Sequence, residues 1–531
     1  MQGAFLLLFA GVMLCLWMLP VLLMGYPATL SDIVLSARNL AETGILDNTT
    51  LRLLVIIVWS LHPFIAWDNV VAWTAVSAAG MALALLPWWW CVRRLFDVRI
   101  AWLSTVVLAL MPLYWIEALD LGGYTFALFF LFLGFAFFLK FYPRHRLFAV
   151  ILFGVCFGAV IASRDAFTPF LPWLVVAYFW MHRRRWIRAF MEIAVFCMVA
   201  YVAFALPLLP NALLPGLTPV ERTQVFLPSL GSSTPGEGHL YPDEFIFTRY
   251  RAEYDQLIMQ RVANESFLES QGDLHYRLIF GVGGLGLFTG LLSGTWLFLN
   301  NIPALFLQET VGGAFLWLFI LPGILLLWKE RRRLLFLMTG LWLSIEVLIR
   351  FVLHFGRLHV NDFGWMLALL AGVGAAAVVT KFAHGWTKRR TAMLGFVIAL
   401  LIAAQLVQAN RKILATMYTR STVPMVYAVA QELQSVPADA VIGHPRRREY
   451  FFFAQQRIAT IHPITVDFLA ERGKLAEPFK EYGVTHILGY DAEQTRLITK
   501  AVPSIKVIPL PEQPATIPTT SLVRYLLHLV R

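Results

Sequence analysis

Charge is what this chain has least of. Asp, Glu, Lys and Arg supply only 14% of its 531 residues, while hydrophobic residues supply 59% and the mean hydropathy is +0.68. An ordinary soluble domain carries roughly 25% charged residues, so a water-soluble multidomain enzyme is excluded, and so is a disordered chain. Cysteine is also scarce. Cys15, Cys91, Cys156 and Cys197 are the only four, and all sit in apolar stretches where a thiol behaves as a small hydrophobe, which excludes a disulfide scaffold. No glycine-rich phosphate loop, nucleophile elbow or Cys/His metal spacing occurs, and no internal repeat is visible.

What the chain does have is long apolar runs. A helix needs about 20 apolar residues to cross the hydrocarbon core. Eleven runs qualify, at 4–24, 70–92, 100–118, 122–140, 147–162, 167–181, 190–209, 311–328, 335–353, 364–380 and 392–409. The first is expected to be a retained anchor, because no positive segment precedes it and no A-x-A site follows. The net charge of +11 is unevenly spread. Lys and Arg gather in every second connection, around Arg93/Arg94, Lys140/Arg144, Arg183–Arg185, Lys329/Arg331–Arg333 and Lys388–Arg390. By the positive-inside rule these loops are cytoplasmic, which places the N-terminus inside and the C-terminal part outside. Loops 25–69 and 210–310 then face outward, with 278–308, rich in glycine, read as re-entrant or interfacial. No nucleic-acid partner is expected.

From 412 the composition shifts. The runs at 440–444, 458–462, 484–490 and 505–511 read as strands, with helices over 425–434, 464–482 and 491–502 between them. The expected architecture is therefore an α-helical polytopic membrane domain over 1–411, with about eleven spans, followed by a small extracytoplasmic α/β domain over 412–531. The tail carries no catalytic motif, which favours a recognition or structural role. Arg446–Arg448 reads as a solvated helix start or a lipid contact.

Ionisable residues at the edge of a span are costly, so each one on the outward side is a site candidate. In 31–48, Asp32 shares a helical face with Leu35/Ser36 and Asn39; a general base at a cavity lip and a plain N-cap by Ser31 or Asp32 both fit. Glu117 and Asp120, three apart, suit a metal ion, an acid/base pair or a helix end. Arg164 can snorkel or hold a phosphate, and Asp165 can cap the next helix. His354, Arg357 and His359 form a cationic outward loop that fits a phosphate or an interfacial anchor. The loop 211–277, with Tyr250, Arg251, Tyr254 and Arg261, reads as a lid or as a solvated helix face.

Taken in order, these segments resemble the GT-C superfamily of polyprenyl-phosphate-sugar-dependent glycosyltransferases, in the branch with protein O-mannosyltransferases and the lipid A aminoarabinose transferase. Asp32-x4-Ala37-x2-Leu40-x3-Gly44 is similar to the first outer loop of that branch, and His62-Pro63 stands where a short Pro-containing motif is frequent. Asp120 before the fourth span, Gly158 through Arg164 ending the fifth, and the late Arg357 complete the resemblance. Ile33 follows Asp32 where many members carry a second acid, and Leu358 follows Arg357 where Tyr is frequent.

The resemblance implies inverting transfer of a sugar from undecaprenyl or another polyprenyl phosphate to a lipid, glycan or protein acceptor. It places the reaction on the outer face of a bacterial inner membrane. Asp32 would be the general base and Arg164 and Arg357 the donor-phosphate ligands. Glu117, Asp120, Asp165, His62, His354 and His359 would be available for substrate or for a divalent metal ion. A transporter or flippase, a polysaccharide ligase and a membrane scaffold are the alternatives. Glu346 and Arg350, an i,i+4 pair inside the ninth span, are the feature that best suits a transporter.

Overall fold

The computed structural model describes residues 2–44, 46, 51–209, 249–250, 253, 311–347, 360–445, 452–453, 456–461 and 463–511. The chain is a helical membrane bundle with a small parallel sheet near its C-terminal end. α1 (Gln2–Met24) leads to two short helices, α2 (Asp32–Thr43) and α3 (Arg52–Leu61). α4 (Val70–Leu95), α5 (Val98–Leu110), α6 (Pro112–Leu119), α7 (Tyr124–Phe141), α8 (Arg146–Ser163), α9 (Phe170–Met181) and α10 (Trp186–Ala205) follow. After residues outside the described set come α11 (Trp317–Glu330), α12 (Arg332–Val347), α13 (Val360–Phe382), α14 (Lys388–Thr419) and α15 (Val423–Leu433).

Each of the eleven expected spans overlaps a helix, but among the described residues only seven helices are long and apolar enough to cross a membrane, or eight with the bent pair α5–α6. Two of the shortfalls have a local cause. A 3-10 turn at Asp165–Phe167 followed by Pro169 delays α9, leaving it 12 residues. A Gly312-Gly313 turn delays α11; the expected span 335–353 continues past Val347 outside the described residues. The expected re-entrant stretch 278–308 lies outside the described residues, as do the side chain of Glu346 and all of Arg350.

Bundle packing relies on close backbone approach, as is usual where lipid supplies no hydrophobic drive between helices. α8 meets α10 at Gly158, where a Cβ would stand 2.3 Å from the Ala200 carbonyl oxygen. The α5–α6 pair bends by 58° at Met111, because Pro112 cannot continue the helical ladder. The buried Asn410 of α14 donates its side-chain amide to the Leu110 carbonyl at this break, 2.8 Å away. α6 is thereby set off-axis, with Glu117 and Asp120 at its far end.

A second hydrophobic cluster lies over one end of the bundle. It joins Ile33, Val34, Ala37 and Leu40 of α2 with Leu54, Val55 and Val58 of α3, Trp73, Leu121 and Leu208, and takes in Val423 and Val426 of α15. The α2 residues recur at helical spacing, so an amphipathic helix buries one stripe onto this layer.

Beyond α15, β1 (Val441–His444), β2 (Arg457–Thr460), β3 (His486–Leu488) and β4 (Lys506–Ile508) form a parallel sheet in the order β2-β1-β3-β4. α16 (Pro463–Ala470) and α17 (Ala476–Glu481) connect β2 to β3, and α18 (Ala492–Ala501) connects β3 to β4. These strands and helices occupy the segments read as such from the sequence. α14 itself runs on through residue 411 to Thr419.

Candidate functional site

The site grows out of how α2 begins. Ser31 is its N-cap: the Ser31 hydroxyl accepts from the Ile33 N–H at 3.3 Å. The same hydroxyl donates to the Leu121 carbonyl at 2.9 Å, tying the start of α2 to the turn between α6 and α7. Asp32 is the first residue of α2, so the capping role is filled without it. Ser36, one turn further on, is fully buried and its hydroxyl has no hydrogen-bond partner among the described residues. Ala37 and Leu40 are buried and Gly44 closes the helix with φ +75°, so these motif positions build the helix that carries Asp32.

The turn it meets carries the two other acids. Glu117 is buried near the end of α6, and Asp120 follows that helix. Ser77 of α4, wholly buried, hydrogen-bonds the carbonyls of both residues, at 3.1 and 2.9 Å. A Cβ on Gly122 would stand 3.4 Å from Glu117 Oε2 and 3.4 Å from Asp120 Oδ2, so the two carboxylates flank the space that Gly122 leaves open. Gly123 adopts φ +86°, and a Cβ there would meet the Ser163 carbonyl oxygen at 2.4 Å. This contact brings the end of α8 against the acidic turn.

Ser163, Arg164 and Asp165 therefore belong to the same place. The Arg164 guanidinium lies over the Tyr124 ring, 4.5 Å from its centroid, just beyond Gly123. Asp165 opens the 3-10 turn that follows, and desolvation raises its pKa against the opposing pull of Arg164 and Arg52.

Arg52 is a member that sequence reasoning missed. It is the first residue of α3, it is 7% exposed, and its guanidinium packs 3.8 Å from the Phe204 ring centroid. Its Nε has no hydrogen-bond partner among the described residues. Burial pulls its pKa down to about 10, opposed by Asp165, so it is a full cation at neutral pH. A lone Arg heading an otherwise apolar run, RLLVIIVW, is the signal that could have found it.

Other candidates stand apart. His62 lies past the opposite end of α3, about 15 Å along the helix from Arg52 at 1.5 Å per residue. There its ring stacks on Trp67 and its Nδ1 meets the Trp59 carbonyl. His354, Arg357 and His359 lie outside the described residues, as do Arg251, Tyr254, Arg261 and Arg446–Arg448. Tyr250 packs into the core of the sheet-bearing unit, where its hydroxyl donates to Glu477 Oε2 at 2.6 Å. Among the described residues no group of three His, Cys, Asp or Glu side chains converges to hold a metal ion. The Glu117–Asp120 pair supplies hard oxygen donors of the kind a divalent cation takes.

The arrangement sets the start of α2 and the acidic α6–α7 turn against the Ser163–Asp165 segment, whose Arg164 lies on an aromatic face as Arg52 does. It suits deprotonation of a nucleophile beside a bound anion.

Comparison with solved structures gives the fold. The chain matches ArnT from Cupriavidus metallidurans bound to undecaprenyl phosphate with a TM-score of 0.57 at 11% identity, over 96% of this chain and 90% of that one. It matches the oligosaccharyltransferase of Archaeoglobus fulgidus tethered with an acceptor peptide with a TM-score of 0.51 at 13% identity, over 90% and 68%. The same archaeal enzyme in complex with an inhibitory peptide and a dolichol-phosphate gives 0.51 at 14% identity, over 90% and 69%. No protein-family model and no curated protein sequence matches the chain. At these identities the likeness shows the fold alone, the one these solved structures share with this chain.

Proposed function

We propose that the chain is a membrane glycosyltransferase that moves a sugar from a polyprenyl-phosphate donor to an acceptor on the outer face of a bacterial inner membrane. The observation that carries this reading is the Ser31–Leu121 hydrogen bond, which sets the start of α2 on the turn bearing Glu117 and Asp120. The structural neighbours support it, since one is bound to undecaprenyl phosphate and another is in complex with a dolichol-phosphate.

In this reading the lipid lies along the spans and its phosphate meets Arg164 and Arg52, with Arg357 as a third ligand. Asp32 takes the proton from the acceptor hydroxyl or amine. The nucleophile attacks the anomeric carbon, the bond to the phosphate oxygen breaks on the opposite face, and the configuration inverts. A positioned general base contributes roughly 10²–10⁴-fold. The leaving group is a phosphate that the guanidiniums stabilise without protonating it. Glu117 and Asp120 would orient the acceptor or hold a divalent cation, which when bound would add positive charge near the leaving phosphate.

The test is the Asp32→Asn variant beside the parent in lipid nanodiscs, given a panel of undecaprenyl-phosphate sugars, with release of undecaprenyl phosphate followed over time. The parent is expected to turn over at least one donor. The variant should retain fold and donor binding while losing about 10²-fold or more in rate. Equal turnover by both proteins removes Asp32 from the chemistry. A panel that neither binds nor reacts removes the glycosyltransferase reading itself.

A further inference from the structure

A cavity of about 510 Å³ opens where the start of α8, the turn between α9 and α10, and the start of α12 come together. One wall is five arginines: Arg146, Arg183, Arg184, Arg185 and Arg333. None of the residues lining it is an acid. The site proposed above uses none of them.

A partly buried polar network underlies the turn that carries three of these cations. The Tyr142 hydroxyl is hydrogen-bonded to His182 Nε2 at 2.7 Å and to the Tyr178 hydroxyl at 2.9 Å, which fixes the start of the Arg183–Arg185 turn. The Tyr178 hydroxyl donates to the buried Glu192, whose other oxygen takes Arg188 Nε at 3.0 Å. The Arg146 guanidinium lies 5.3 Å from the Tyr142 ring centroid. Gathering cations from three separate connections costs self-repulsion, which an anion between them relieves.

The surroundings say which anion. Trp180 and Met181 line the same cavity, and they are 44% and 51% exposed. Phe336 of α12 packs on Trp180 with ring centroids 5.2 Å apart and is itself 47% exposed. A soluble phosphate has no use for an apolar apron, whereas an acidic phospholipid joins an anionic head to acyl chains. Basic pockets between membrane helices are known headgroup sites.

We propose that this cavity binds the headgroup of an acidic membrane phospholipid, with its phosphate among the arginines and its chains along Trp180, Met181 and Phe336. The proposal is independent of the glycosyl-transfer reading.

The test uses the full chain in detergent, titrated with phosphatidylglycerol, cardiolipin, phosphatidylethanolamine and inorganic phosphate, and read by native mass spectrometry and thermal melting. The acidic lipids are expected to bind and to raise the melting temperature. Phosphatidylethanolamine and inorganic phosphate are expected to do neither at the same concentrations. Paired R146Q and R333Q should weaken acidic-lipid binding roughly thirtyfold, at about 1 kcal/mol for each cation removed. R94Q, in a different basic connection, should leave it unchanged. If R146Q with R333Q does not fold, R184Q with R185Q takes its place. Equal binding of phosphatidylethanolamine, binding of inorganic phosphate as tight as that of the lipids, or equal losses from R94Q and the cavity pair would each overturn the proposal.

Discussion

Gly122 and Gly123 are neighbours with different constraints, and the pair separates catalysis from folding. At Gly123 the backbone has φ +86° and a Cβ would sit 2.4 Å from the Ser163 carbonyl oxygen, a backbone atom that cannot swing away. Gly123→Ala should therefore cost about 1–3 kcal/mol, seen as a melting temperature several degrees below the parent in matched detergent. At Gly122 the atoms nearest the added methyl are side-chain carboxylate atoms of Glu117 and Asp120, at 3.4 Å and beyond, an ordinary van der Waals distance. Gly122→Ala should melt with the parent and still turn over at least tenfold more slowly, because an apolar group then stands between Glu117 and Asp120. A Gly122→Ala enzyme with full activity would put the reacting groups elsewhere. Arg52 allows a sharper test of phosphate binding. Arg52→Lys keeps the charge and loses the planar fork, so the donor KM should rise roughly tenfold, with kcat changed less. An unchanged donor KM would assign Arg52 to packing against Phe204. The same residues show what the sequence made legible. Asp32, Glu117, Asp120, Arg164 and Asp165 stood out because charge is rare at span edges, but their grouping depends on Ser31, Ser77 and the Gly123 approach. No local pattern announces those contacts.

Among elements, the bent pair α5–α6 has the largest effect on the site. The sequence read 100–118 as one span, since hydropathy does not register a change of helix direction. Pro112 marks the break, but the partner that makes it tolerable, Asn410, is 300 residues away and could not be paired with it by inspection. Asn410→Leu would keep the volume and leave the Leu110 carbonyl buried without its donor. The expected cost is about 1–3 kcal/mol, together with a loss of turnover per folded molecule, since α6 carries Glu117 directly. If the variant melts lower yet each folded molecule works at the parent rate, the break is a packing device with no bearing on the acids. Strands and helices of the sheet-bearing unit were easier to read. Short apolar runs alternating with amphipathic ones have one compact solution, a parallel sheet with crossover helices. Span lengths were harder, because a 3-10 turn or a paired-glycine turn trims α9 and α11 without changing their apolar composition.

At the scale of the whole molecule, the two ends of the bundle differ in chemistry, and that difference predicts how the chain sits in a membrane. One end gathers the basic connections: Arg331 packs on Phe96, and Arg146, Arg183–Arg185 and Arg333 share a cavity. The other end carries the α2–α3 layer, the acidic turn and the link to the sheet-bearing unit. α14 is 32 residues long, about 48 Å at 1.5 Å per residue, while a hydrocarbon core is about 30 Å thick. Its last turns therefore stand clear of the lipid, where the Tyr418 hydroxyl donates to the Tyr26 carbonyl and Ser421 to the Ala28 carbonyl. These bonds fasten the sheet-bearing unit to the end that holds Asp32, so both must lie on one side. The positive-inside rule predicts that this side is the outer one. In a cysteine-free background, D68C, on the exposed turn before α4, should react with a membrane-impermeant maleimide in intact cells. R184C should react only after permeabilisation. The reverse pattern would put the acidic turn in the cytoplasm and remove an outward-facing transferase from consideration, whatever its donor.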